Sequence, residues 1–180
     1  MQKISILLFF IVLFGKGNAQ NLMPVDEGSA IKFSIKNFGF STGGSFTGLK
    51  GKIQFDAANT NLTSFTVSLD AASINTDNQS RDKHLRKEEY FNVEKYPVIS
   101  FASAGVSTGD KPGTFLMKGN LTIKGVTKQI SYPFTAIEQN NGFLFSGSFN
   151  INRRDFGVGG SSMVLADNLL VSLSVFAKKN

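Results

Sequence analysis

The single histidine of the chain, His84, lies close to two residues that could join it in nucleophilic catalysis, Ser80 and Asp82. A serine nucleophile needs a histidine base and a carboxylate that orients the imidazole. Residues two positions apart on a helix point in different directions, so this spacing does not bring the three side chains together. The G-x-S-x-G sequence that presents a serine nucleophile is also absent. We therefore expect no catalytic residues and interpret His84 as a helix histidine that bonds a nearby carboxylate or carbonyl.

Two basic segments could bind an anion. In Arg153-Arg154-Asp155, an arginine could hold a phosphate or another ligand oxygen, or Arg153 could instead pair with Asp155 or with the acids at 88 and 89. The segment 81–87 is rich in basic residues and has one acid. It is either a solvated helix face or a cationic lip that attracts anionic lipid head groups. Neither segment has aromatic residues interleaved with its charges, so we expect no nucleic acid as a partner.

The composition excludes several kinds of cofactor site. The chain has no Cys and one His, which removes Cys-ligated zinc, iron–sulfur clusters, disulfides and multi-histidine metal sites. The glycine-rich segment 157–162 lacks the Lys-Ser/Thr ending of a phosphate-binding loop, so a flexible loop is the simpler interpretation. We expect no metal and no cofactor.

The first 19 residues have the pattern of a secretory signal peptide. A short basic start precedes the apolar run 4–15, and Gly17 and Ala19 place small residues before Gln20. The run is too short for a stable membrane-spanning helix. We predict cleavage after Ala19, one mature domain over residues 20–180, and a periplasmic or secreted location. Cleavage would lower the net charge from +6 to +4.

Hydrophobic alternation predicts a chain of β-strands. Residues 31–36 alternate apolar and polar side chains without exception, as expected for a strand with one buried face. The same period predicts eight strands, at about 31–36, 52–55, 63–71, 98–103, 114–124, 129–137, 143–152 and 169–178. Turns rich in Gly, Asn or Asp separate several of them.

One polar segment predicts a short α-helix near residues 79–90. Thr76 and Gln79 have the spacing of a capping box, and Asp82 and Arg86 that of an i,i+4 ion pair. Leu85 and Phe91 would pack this helix against the rest of the domain.

The fold class predicted from these elements is all-β, a single antiparallel up-and-down β-barrel of about eight strands with one short helix. At eight strands, side chains either fill the interior or leave room for one small ligand. A membrane barrel shows the same alternation with its apolar face toward lipid. Membrane barrels carry girdles of Tyr and Trp, whereas this chain has only three Tyr and no Trp; together with the charged C-terminal end and the helical insertion, this favours an inward apolar face. That face would consist of Phe33, Ile35, Ile53, Phe55, Phe65, Val67, Leu69, Ile99, Phe101, Met117, Leu121, Ile123, Tyr132, Phe134, Phe143, Phe145, Phe149, Val171, Leu173 and Val175.

Two ordered sets of motifs carry a resemblance to a known family. The first comprises 73–76, 81–85, 90–92 and 96–101 (SINT, RDKHL, YFN and YPVISF); the second comprises 119–128 and 151–157 (GNLTIKGVTK and INRRDFG). In this order, together with 31–35 and 48–56, they resemble the YceI-like family of bacterial periplasmic proteins. Where many members carry a His after the first strand, this chain has Lys36 and Asn37.

The resemblance implies a lipocalin-like barrel whose apolar pore binds a polyisoprenoid, such as a quinone or polyprenyl phosphate, or a fatty-acid-like amphiphile. The implied role is transport, storage or sequestration. The alternatives are a secreted lipid-modifying enzyme and a filled structural or interaction barrel. A transient contact with a membrane surface is compatible with this role, and the oligomeric state, monomer or homodimer, stays open.

The candidate ligand contacts follow from the long or aromatic inward positions midway along the strands, because an apolar tail needs continuous dispersion contact. They are Phe33, Phe65, Phe101, Met117, Phe134, Phe145 and Phe149. The candidate head-group contacts are Arg81, His84, Arg153 and Arg154.

Overall fold

The computed structural model describes residues 19–180. The predicted signal peptide therefore lies outside the described residues except for Ala19. The strands are β1 (Gln20–Asn37), β2 (Phe40–Phe46), β3 (Lys50–Phe55), β4 (Ser64–Asp70), β5 (Val98–Thr108), β6 (Thr114–Ile123), β7 (Val126–Gln139), β8 (Gly142–Asn152) and β9 (Leu165–Lys179), and the helix is α1 (Gln79–Leu85). Within residues 19–180, no helix has the length and apolar character needed to cross a bilayer.

Eight of the strands close into an antiparallel barrel. Neighbours in the chain from β3 to β9 pair with one another, β1 pairs with β3, and β9 returns to pair with β1. This arrangement confirms the predicted barrel of eight strands. β2 stands outside the closed ring, because it pairs with the second half of β1 and carries one further bridge, from Ser45 to Asn75.

A bulge in β1 allows the strand to pair with β3 in its first half and with β2 in its second half. The register against β9 shifts between Val25 and Ala30, where Gly28 adopts a φ of +78°. The Ser29 hydroxyl fixes the bulge by donating to the Val25 carbonyl (2.5 Å) and accepting from the Phe176 N–H (2.8 Å). Before the bulge β1 pairs with β3, and after it with β2, so the strand bends where its partner changes.

The apolar faces of the strands point into the barrel, as predicted. At one end, six phenylalanines form a compact group that we call the phenylalanine plug. Their ring centroids lie 5.1–6.3 Å apart, mostly edge to face, which is the preferred geometry of aromatic packing. The plug consists of Phe55, Phe65, Phe115, Phe134, Phe143 and Phe145. A second buried cluster, around Ile99, Leu121 and Phe156, lies toward the other end.

The helix is shorter than predicted, and its predicted local contacts are wrong. α1 ends at Leu85, and turns return the chain toward β5. Asn78 caps the helix by accepting from the Arg81 N–H, so Thr76 and Gln79 do not form the capping box.

The predicted Asp82–Arg86 pair is also replaced by other contacts. The buried Asp82 accepts from the backbone N–H (2.9 Å) and the hydroxyl (2.5 Å) of Thr76. Arg86 donates to the carbonyls of Ala72 (2.7 Å) and Ile74 (3.0 Å). The segment that precedes α1 has buried backbone groups without sheet partners, and these two side chains satisfy them.

Candidate functional site

The barrel encloses one long apolar cavity above the phenylalanine plug. Its volume is about 460 Å³, within the range of small-molecule binding sites. Of the residues predicted to face inward, all line it except Phe55 and Phe143, which lie below its floor. The floor is the upper half of the plug, formed by Phe65, Phe134 and Phe145.

All seven predicted ligand contacts line this cavity. Met117 and the three floor phenylalanines are buried. Phe33, Phe101 and Phe149 are half-buried although they point inward, because part of each ring faces the open space of the cavity. The structure therefore brings the seven side chains together along one surface, and their contact with a ligand stays a prediction.

Two glycines allow aromatic rings of the cavity wall to lie close to a neighbouring strand. A Cβ atom at Gly119 would lie 2.2 Å from the Phe101 ring, and one at Gly44 would lie 2.5 Å from the Phe33 ring. Because these positions lack a side chain, each ring can lie across the backbone of the neighbouring strand. A side chain at either position would push the aromatic ring away from that backbone.

Tyr132 brings a phenol into this apolar wall. Its ring lies 4.7 Å from that of Phe149 and 6.3 Å from that of Phe101. Burial raises the pKa of the Tyr132 hydroxyl above its ordinary value, because the charged phenolate would lose its water. The phenol is therefore neutral at physiological pH and introduces no charge into the cavity wall.

Three elements surround the open end of the cavity. They are the β1–β2 hairpin, α1, and a loop that we call the mouth loop, residues 157–164. The hairpin and the loop are joined by a hydrogen bond from the Phe38 N–H to the Val164 carbonyl (2.8 Å). Lys124 supports the loop from the opposite side by donating to the Gly157 carbonyl (2.7 Å).

Three of the four predicted head-group residues line the cavity, namely Arg81, His84 and Arg153, and the first two lie at this opening. Arg81 lines the cavity, and its guanidinium donates to the Thr76 hydroxyl (2.8 Å) and carbonyl (2.6 Å), which fixes its position. His84 also lines the cavity and packs edge to face on Tyr90 at 5.0 Å. A ligand whose tail filled the cavity would place its polar end near these two side chains.

Arg153 is buried and holds the mouth loop. The predicted pairing with Asp155 or with the acids at 88 and 89 is wrong, because Arg153 instead pairs with Asp167 at 2.9 Å. Its guanidinium also donates to the carbonyls of Val158, Gly160, Leu165 and Ala166 at 2.9–3.5 Å. The long loop between β8 and β9 brings its two ends together in space, which the spacing in sequence does not reveal.

Arg154 lies outside the cavity lining. It is about half exposed and reaches the other oxygen of Asp167 at 3.4 Å. It therefore shares the carboxylate that neutralises Arg153. Among residues 19–180, no group of three or more His, Cys, Asp or Glu side chains is arranged to hold a metal ion.

The sequence analysis did not identify Phe46 and Phe91 as residues that line the cavity. Phe46 contacts Phe33 and Phe91 at ring distances of 5.9 and 5.5 Å. The sequence pattern could have indicated Phe91, because the predicted helix already directs this residue toward the rest of the domain. No sequence pattern indicated Phe46, because the glycine-rich β2 does not alternate apolar and polar residues.

Comparison with known proteins places this barrel in a family. The model of the YceI-like domain matches residues 24–177. UPF0312 proteins of Azotobacter vinelandii and Yersinia enterocolitica are each 35% identical to the chain, over 136 and 135 residues. The alignments cover 71% of this chain in both cases and 70% and 69% of those proteins.

Solved structures share the fold. The crystal structure of Burkholderia cenocepacia BcnA has a TM-score of 0.80 at 23% identity and covers 86% of this chain and 99% of its own. A polyisoprenoid binding domain from Saccharophagus degradans has a TM-score of 0.69 at 16% identity and covers 91% of this chain and 100% of its own. The YCEI protein of Campylobacter jejuni has a TM-score of 0.69 at 29% identity and covers 76% of this chain and 84% of its own. With the family model matched along nearly the whole barrel, the chain belongs to the YceI-like domain family.

Proposed function

We propose that this protein binds one amphiphilic lipid, with the apolar tail in the barrel cavity and the polar end at the mouth. The main observation that supports this proposal is the cavity, which has apolar walls, is closed at one end by the phenylalanine plug and is open at the other. A polyisoprenoid or a fatty-acid-like chain has the chemistry that such a wall accepts.

The energetics favour a long tail. Transfer of apolar groups from water contributes about 0.8 kcal/mol per methylene, so each five-carbon isoprene unit contributes about 4 kcal/mol before the costs of ordering. Apart from Lys32, Arg81, His84 and Arg153, the residues that line the cavity are uncharged and offer little to a polar ligand. The Arg81 guanidinium at the opening could donate to a phosphate, carboxylate or carbonyl oxygen of the head group.

The comparisons support the same ligand class at the level of the fold. The Saccharophagus degradans neighbour is described as a polyisoprenoid binding domain, and its barrel resembles this one. The role that we propose is that of a carrier or sequestering protein, without catalysis, in the periplasm or outside the cell. Such a location requires export through the predicted signal peptide, and the mature protein would then begin at Gln20.

Native mass spectrometry of the protein purified from its own host tests the binding proposal. We expect a species heavier than the bare chain by the mass of one lipid, which organic extraction removes and identifies. Preparations that repeatedly show the bare mass would contradict the proposal and favour a structural barrel. A water-soluble metabolite in place of a lipid would also contradict it.

A further inference from the structure

Four apolar side chains are exposed together at the open end of the barrel. Phe38 is 70% exposed, Phe40 78%, Met163 fully, and Val164 40%. Single exposed apolar residues are ordinary on protein surfaces. These four belong to two loops that the Phe38–Val164 backbone hydrogen bond joins, and Val164 itself lines the cavity. They therefore form one patch at the entrance, which we call the apolar rim.

Phe38 does not stabilise the hairpin turn in which it lies. Phe38 and Gly39 are the two central residues of the β1–β2 hairpin, with φ angles of +51° and +79°. Asn, Asp or Gly is preferred at such positions, and a bulky residue with positive φ is strained. Phe38 is therefore unfavourable in this turn, and the turn does not bury its ring. A role in binding a non-aqueous surface would account for a phenylalanine at this position.

Basic residues outnumber acidic residues in the segments next to the rim. The hairpin residues 31–46 and the segment 76–89 hold six basic and four acidic residues. One of the acids, Asp82, is buried against Thr76 and is withdrawn from the surface. The mouth loop contains no charged residue. Exposed aromatic and methionine side chains flanked by lysine and arginine have the composition of a membrane interface.

We infer that the apolar rim docks on an anionic lipid bilayer, so that the cavity opens directly toward the membrane. This inference rests on the proposed function, since a lipid ligand must leave a bilayer to reach the cavity. With Phe38, Phe40 and Met163 among the lipid head groups, the tail enters the barrel without crossing water. The basic residues orient the barrel by attraction to the negative surface.

Vesicle flotation tests the inference. The mature protein is mixed with vesicles of phosphatidylcholine and phosphatidylglycerol at 3:1, and with vesicles of phosphatidylcholine alone. We expect binding to the anionic vesicles that weakens with added salt and is lower without phosphatidylglycerol. The Phe38→Asn/Phe40→Ser double variant should bind roughly tenfold more weakly, since it loses two partly inserted rings. The Asn–Gly turn that it creates suits the hairpin, so the barrel should still fold.

A matched control separates the rim from general surface hydrophobicity. Ile137 is 54% exposed and lies near the end of β7, on the side of the phenylalanine plug. Ile137→Ser should bind vesicles as the parent does. Equal binding by the parent and the double variant, or no binding by the parent, would overturn the docking inference.

Loading of the cavity from solution is measured in parallel with a fluorescent fatty acid, cis-parinaric acid. We expect the parent and the double variant to take up this probe equally. If the probe loads but the parent does not float with vesicles, the docking inference fails while the proposed function stands. If the parent floats but excludes the probe, the proposed function fails instead.

Discussion

Filling the cavity from one wall should abolish lipid binding without unfolding the barrel. Val171 lies on β9 opposite Phe33, and its side chain lines the cavity. A tryptophan at this position would occupy space that the tail needs. At about 0.8 kcal/mol per methylene, displacement of one isoprene-sized length of tail removes about 4 kcal/mol of transfer free energy. Since about 1.4 kcal/mol corresponds to a tenfold change, affinity should fall by roughly two to three orders of magnitude.

The stability cost should be smaller than the loss of affinity. Overpacking a closed core costs roughly 1–3 kcal/mol, and we expect the low end of that range here because the cavity leaves space beside Val171. The control is Leu170→Trp on the same strand, since Leu170 is 41% exposed and points outward. Its tryptophan should leave binding unchanged.

The assay exploits the absence of Trp from the chain. Emission from the new tryptophan should be blue-shifted in Val171→Trp and typical of a water-exposed indole in Leu170→Trp, which verifies both placements. Titration with cis-parinaric acid then measures the dissociation constants, and thermal unfolding measures stability. If Val171→Trp folds with a buried indole and binds the probe as tightly as the parent, the tail does not occupy this cavity.

Three further predictions concern the plug, the buried phenol and the mouth loop. Phe115→Ala should lower the free energy of unfolding by roughly 3–5 kcal/mol in urea titrations, whereas the exposed Leu116→Ala should cost far less; equal costs would exclude a packed plug. Burial raises the pKa of Tyr132, so above about pH 10 the unfolded chain releases this proton first and stability falls. Tyr132→Phe should show a shallower decline in urea titrations between pH 9 and 11, and an unchanged slope would contradict the assignment. Arg153→Met should speed amide hydrogen exchange in residues 157–164 several-fold, and unchanged protection there would show that other contacts hold the mouth loop.

The barrel could be predicted from the sequence because its strands bury one face each. Alternating residues such as Phe143 and Phe145 must share a side of the strand, and eight such segments with short turns favour closure. The sequence did not predict β2, because its Ser- and Gly-rich sequence does not alternate apolar and polar residues. Its formation depends on pairing with β1 and on the bridge from Ser45 to Asn75, and both are tertiary contacts.

The sequence predicted which residues line the cavity, but it did not predict that the interior is hollow. Period two places Phe33 and Phe101 inside, but it does not show that their rings lie against the backbone at Gly44 and Gly119. Those cross-strand pairs depend on register, which spacing along one strand does not give. The partner of Arg153 was missed for the same reason, since Asp167 approaches it through the closure of a long loop.

A crystal structure of the protein purified with its lipid from the native host tests the central claim most directly. We expect continuous ligand density that begins above Phe134 and Phe145, passes Met117 and Phe101, and ends in a polar group near Arg81. A barrel whose wall side chains have closed the cavity, or a lipid bound only on the outer surface, would contradict it.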